Sequence, residues 1–151
     1  MFYRYTPAAC LAFARSFYVA EDRDKLVLSP IFYTSNPQTV AAGAQRVINI
    51  PISNQADFIM CGVNVRSATS SADIFAQSTM LLVDNSSGEP LSQGPTMLAS
   101  YVGNLTIHNT LPHPYFLRGN SAITANINNL SISDMDYLTV VLSGYQCRVL
   151  N

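Results

Sequence analysis

The chain has 151 residues, of which 48% are hydrophobic and only 11% charged, with a formal net charge of −1. A single core is the default at this length and needs no disulfide or metal to hold it. The near-neutral balance, with Lys25 the only lysine, excludes the basic surface that a phosphate backbone requires, so no nucleic-acid partner is expected. No run of about 18 uncharged apolar residues occurs, so no membrane partner is expected either. The scarcity of charge then points to contact burial, helped by neutral Asn, Ser and Thr at the surface.

Along the chain, Thr6-Pro7 reads as a helix start, an N-cap hydroxyl followed by proline at the first helical position. Cys10, Phe13 and Phe17 recur at helical spacing, and a short amphipathic helix is expected from Pro7 to about Val19. Two readings of it stay open: a helix packed on its own domain, or an arm docked on a neighbouring subunit. The stretch Ala8 to Ala20 is too interrupted by Arg15, and too closely followed by Glu21-Asp22, for a signal peptide, and is read as retained.

From Leu26 the pattern changes to period 2. Leu26 to Leu28 and Ile31 to Tyr33 straddle Ser29-Pro30, Asn36-Pro37 marks a turn, and Ser35 to Ala44 reads as a hinge. Arg46 to Ile52 alternates, with Pro51 placing it near a sheet edge or strand end. Asp57 to Arg66 is a strong strand, Ser67 to Ser71 a turn, Ile74 to Val83 a further strand, and Asp84 to Gly88 a second turn. Met97 to Leu105 is expected to be extended. Tyr115 to Arg118 leads through Gly119-Asn120 to a strand in which Ile123, Ala125 and Ile127 alternate with polar residues. In the last strand, Tyr137 to Leu150, Leu138, Val140 and Leu142 share one face, and Gly144 signals a bulge or a close approach of backbone. These segments predict an all-β fold, an antiparallel jelly-roll-like sandwich of about eight strands over residues 45–151, preceded over 1–44 by an arm with a short helix and an extended segment.

The chemistry-bearing residues are few. Only His108 and His113 offer a base for a nucleophilic triad, and no Gly-x-Ser-x-Gly elbow accompanies them, so both read as structural loop or strand residues. The nine acids fall mostly at turns, where Asp bonds local backbone. Asp134 and Asp136 alone do not supply the five or six oxygens of a calcium site. Cys10, Cys61 and Cys147 are an odd number without Cys-x-x-Cys spacing, so neither a disulfide framework nor a zinc site is expected. Cys61 reads as a small buried hydrophobe. The Asn-x-Ser/Thr matches at Asn85, Asn104 and Asn129 are cheap in so Asn-rich a chain. No catalytic activity, cofactor or metal is expected.

The aromatic residues crowd toward the start: Phe2, Tyr3, Tyr5, Phe13, Phe17, Tyr18, Phe32 and Tyr33. Rings with a polar tip beside apolar neighbours suit interfaces, and a small sandwich has little room for so many inside, so these eight are the expected interface residues.

Several segments together resemble a pattern found in small structural proteins of tailed bacteriophages: Tyr115 to Ser121, the strand Ala122 to Asn128, Asn129-Leu130, and the ending Leu138 to Tyr145. Ala56 to Met60 and Leu81 to Gly88 fit it as well, so the likeness covers roughly residues 45–148. Its motifs are strand-and-turn signatures without chemistry, and the N-terminal helix and aromatic cluster lie outside it. The resemblance implies a jelly-roll virion protein of the cement or decoration type. Such a protein would be assembled in a host cytoplasm and located on the capsid exterior, with the major capsid protein as partner and a dimer or trimer as its own state. Other expectations are a receptor- or carbohydrate-binding jelly roll at a tail or head fibre, and a minor protein at the head-tail connector.

Overall fold

A computed structural model describes residues 5–69, 72–101 and 110–150. The chain opens with helix α1 (Pro7–Arg15), where the Thr6 hydroxyl caps the Ala9 N–H at 3.2 Å and Pro7 occupies the first turn, as the sequence predicts. Ser16 stops it early by donating its own hydroxyl to the Phe13 carbonyl (2.7 Å). The expected continuation to Val19 is turn instead, and a separate single turn, α2 (Ala20–Arg23), follows it.

The strands follow in chain order: β1 (Leu26–Thr34), β2 (Gln38–Val40), β3 (Gln45–Pro51), β4 (Asp57–Arg66), β5 (Thr79–Asp84), β6 (Thr96–Met97), β7 (Thr110–Leu117), β8 (Ala122–Asn128) and β9 (Met135–Val149). One sheet has the order β1-β9-β4-β7, with β2 pairing β9 beyond the end of β1; the other runs β3-β8-β5-β6. With β2 set aside, the first strand pairs the last, the second the second-last, and so inward to β5 and β6. That nesting is a long antiparallel ribbon wrapped into two facing sheets, which is the jelly roll. β4 against β9 and β5 against β8 close the wrap.

Between the sheets lies one core. Phe58, Met60, Leu138, Val140 and Leu142 from the first sheet meet Ile48, Ile50, Met80, Leu82, Ile123 and Ile127 from the second. Each contributes on the order of 1.5–3 kcal/mol by leaving water. The shared face of Leu138, Val140 and Leu142 is fully buried, as their alternation predicts.

A bulge interrupts β4. Met60 lies opposite Gly144 and Gly62 opposite Ser143, so Cys61 is the extra residue and the pleat changes phase there. Phe58 and Met60 before it, and Val63 and Val65 after it, all turn into the core. Gly144 faces this bulge at a distance only glycine tolerates: a Cβ there would lie 1.9 Å from the Ile59 carbonyl oxygen.

Several expectations are corrected. The boundary at residue 44 does not divide the fold, because β1 pairs β9 over nine consecutive positions and β2 lies within the expected hinge. Ser29-Pro30 does not break β1 either, since β1 is an edge strand in which a missing N–H costs no ladder bond. The start of the expected strand Ile74 to Val83 is a helix, α3 (Ala72–Gln77), closed by the Ser78 hydroxyl on the Ile74 carbonyl at 2.7 Å. Beyond Thr96–Met97 the chain turns into a short 3-10 helix (Leu98–Tyr101) instead of extending.

Candidate functional site

The two sheets present very different outer faces. On the first, α1 lies across the strands. Cys10 and Ala14 from the helix are buried against Leu26, Ile59, Cys61 and Cys147, with Phe13, Tyr18, Phe116 and Tyr145 around them. The helix is thus packed on its own domain, the first of the two readings left open above.

A polar and aromatic staple holds the end of that helix. Asp57 accepts from the Gly119 N–H (2.7 Å), from Arg118 (3.2 Å) and from the Tyr18 hydroxyl. Arg118 also donates to the Phe17 carbonyl at 2.9 Å and stands over the rings of Phe116 (4.9 Å) and Tyr18 (5.4 Å). Phe17 stacks flat on Phe116 with ring centres 4.2 Å apart, and Phe13 meets Phe17 edge-on. Burial, with the Asp57 carboxylate beside it, pushes the Tyr18 phenol well above its ordinary pKa. Asn120, in the left-handed region at φ 63, completes the Gly119-Asn120 turn that aims Arg118 at this cluster.

The second sheet carries no such cover among the described residues. Its register sets three strands' outward side chains in rows: Gln45, Asn128 and Thr79; then Val47, Asn126 and Leu81; then Asn49, Thr124 and Val83. None of these is charged. Val47 is 66% exposed at the edge and Met97 45% exposed on the opposite flank. Asn49, Asn85 and Thr124 share a hydrogen-bonded cluster at one end, Asn85 donating to Asn49 (3.2 Å) and accepting from Thr124 (2.6 Å). A concavity of about 210 Å³ lies over Gln45, Val47, Thr79, Leu81, Asn126 and Asn128. The nearest charge in it, Arg46, is engaged by Gln38 at 2.8 Å. Dehydrating such a face strips no ion from its outward rows, but the amides of Gln45, Asn126 and Asn128 must find new hydrogen-bond partners, so a matching polar surface is required of whatever covers it.

A second exposed apolar feature sits at a loop end. Ile132 is 96% exposed and Tyr137 70% exposed, the latter in the left-handed region at φ 50, unusual for a bulky residue. Bonds from its neighbours hold it there: the Asp136 N–H donates to Thr69 (2.7 Å) and the Ser67 hydroxyl to the Asp136 carbonyl (2.6 Å). A shallow hollow beside it is lined by Thr69, Ile132, Asp134 and Asp136.

No family model matches the chain, and no curated protein matches its sequence.

Of the eight aromatic residues expected at an interface, Phe2 and Tyr3 lie outside the described residues. Tyr5 donates to the Leu111 carbonyl at 2.8 Å, and Phe13, Phe17 and Tyr18 form the helix staple. Tyr33 turns inward, edge-on to Phe58 at 4.9 Å, because its position on β1 faces the core. Phe32 points the other way and is 60% exposed. The open face of β3, β8 and β5 was not among the expected sites; its polar members alternate visibly in sequence, but only the register brings them together. His113 is exposed on the edge strand β7, and His108 lies outside the described residues. Among the described residues no three His, Cys, Asp or Glu side chains gather as a metal site, and no helix is long and apolar enough to cross a membrane.

Proposed function

We propose that this protein is a non-enzymatic structural component of a virion, a cement or decoration protein that binds the major capsid protein as part of a small homo-oligomer. The observation that carries the reading is the open face of β3, β8 and β5, whose outward rows hold no charged residue, on a jelly-roll scaffold. Such a face gains affinity from area and hydrogen bonding, and repetition over a symmetric shell multiplies a modest single-site affinity. The exposed Tyr137, next to a backbone held by Ser67 and Thr69, supplies an aromatic anchor of the kind that dominates interface energetics. Jelly rolls serve in capsids and in lectins alike, so the scaffold supports the class of function through its faces and not by itself.

Mass spectrometry of purified particles tests the proposal. The protein is expected at a fixed ratio to the major capsid protein, and its absence from mature particles ends the reading. Val47→Asp, which places a charge on the open face, is expected to lower occupancy on the shell by at least about tenfold, the cost of burying one unpaired charge. A second reading rests on the Asn- and Gln-lined concavity of about 210 Å³, which is suited to a sugar ring at a fibre tip. A glycan array separates the two, since a cement protein binds shells and no sugar.

A further inference from the structure

Two of the three cysteines, 51 residues apart in sequence, bring their sulfurs to 3.6 Å. Cys10 comes from the inward side of α1, one turn before Ala14, and Cys61 is the extra residue of the β4 bulge, which turns it out of the sheet toward the helix. Both are buried and both thiols are free. Cys147 lies in the same small core, beside the Tyr18 phenol. We propose that Cys10 and Cys61 form a modification site, an oxidisable pair that closes into an intramolecular disulfide and fixes α1 to the outer face of the first sheet. The proposal is independent of any role in a virion.

The oxidant is a small-molecule disulfide of the glutathione class. The Cys10 thiolate attacks one of its sulfurs, forming a mixed disulfide and expelling one small thiolate. The Cys61 thiolate then attacks the Cys10 sulfur and expels the second. The two protons lost by the protein thiols go to the two released thiolates, so two protein thiols are oxidised and one small disulfide is reduced. The order follows from the fold: Cys10 rides on α1, which can lift toward an oxidant, whereas Cys61 is fixed in the β4 bulge, and their 3.6 Å contact, in which either thiol can donate, places Cys61 to resolve the mixed disulfide. Because both sulfurs are shielded, the first attack requires α1 to lift, and closing the bond removes that freedom. The helix is therefore releasable under reducing conditions and locked under oxidising ones.

The full-length folded protein, equilibrated across a series of oxidised to reduced glutathione ratios, tests this. Expected is the loss of two titratable thiols, a mass lower by two hydrogens, and a peptide map joining the Cys10 and Cys61 peptides. Thermal stability should rise by on the order of 10 °C, reversibly with a reductant. Cys147→Ser should retain all of this, and Cys10→Ser should lose it. Should Cys10→Ser fold poorly, Cys147→Ser decides alone. A Cys147→Ser protein that keeps both thiols, carries only glutathione adducts, or crosslinks between chains overturns the proposal, as does a wild-type bond to Cys147.

Discussion

Gly144→Ala tests the account of the β4 bulge most directly. The added Cβ would lie 1.9 Å from the Ile59 carbonyl oxygen and 3.1 Å from a ring carbon of Phe58. Real Cβ atoms do not approach closer than 3.0 Å, so β4 and β9 must part by about 1 Å at the centre of the sheet. A displacement of that size carries neighbouring ladder bonds beyond about 3.2 Å, where they weaken steeply. One or two buried backbone groups left poorly paired cost roughly 1–3 kcal/mol each, and overpacking against Phe58 adds about 1–3 kcal/mol. The total, on the order of 2–9 kcal/mol, is a large share of the roughly 5–15 kcal/mol that holds a domain together. Urea unfolding followed by circular dichroism should show a lower midpoint with an unchanged slope, and the melting temperature should fall by on the order of 10 °C or more. Gly94→Ala is the control, because nothing lies within 4 Å of its Cβ position. A loss below about 1 kcal/mol for Gly144→Ala would refute the argument that the strands meet there without room for a side chain.

Two further outcomes follow from the polar contacts. Burial disfavours the Asp84 carboxylate, but the Ser86 hydroxyl and N–H and the Tyr115 hydroxyl outweigh it and hold its pKa below the ordinary value. A folded pKa depressed in this way contributes stability above the unfolded value of about 4 and loses it as pH falls through the folded one. Asp84→Asn should therefore flatten the decline in urea midpoint on acidification below about pH 4, and an unchanged decline would contradict this. Arg118→Ala removes an exposed ion pair of small worth, the bond to the Phe17 carbonyl and two ring contacts, for a loss of about 1–2 kcal/mol. Hydrogen exchange should speed up in Pro7–Arg15 while β8 stays protected; uniform acceleration would show that the staple does not act on the helix.

Where local chemistry decides the outcome, the sequence was legible. Thr6-Pro7 marks a helix start by capping alone, and Ile123, Ala125 and Ile127, like Leu138, Val140 and Leu142, announce a buried face by alternation. Gly144 was readable as a bulge or close approach because glycine inside a strand demands a reason. The misses are of two kinds. Ile74-Phe75 looks like the start of a strand and is a helix, since so short an apolar run has no period of its own and Ser78 closes the turn from outside it. The rest depends on partners distant in sequence. Arg118 reaches Phe17 across 101 residues and Cys10 reaches Cys61 across 51, and neither contact leaves a mark in local spacing. The open face is a further case: Val47, Asn126 and Leu81 become neighbours only when three strands adopt one register. The expected arm failed for a related reason, because the partner of β1 is the last strand of the fold.

That last strand has a consequence for how the protein is made. β9 is one of the two interior strands of the first sheet, bonded to β1 and β2 along one side and to β4 along the other. A nascent chain on the ribosome therefore cannot join β1 and β2 to the β4-β7 pair until residues 135–149 emerge. β1, β2 and the free edge of β4 must wait exposed to solvent, and closure comes in one late step over long sequence separations. The sparing use of exposed charge leaves that waiting polypeptide poorly defended against association with its siblings.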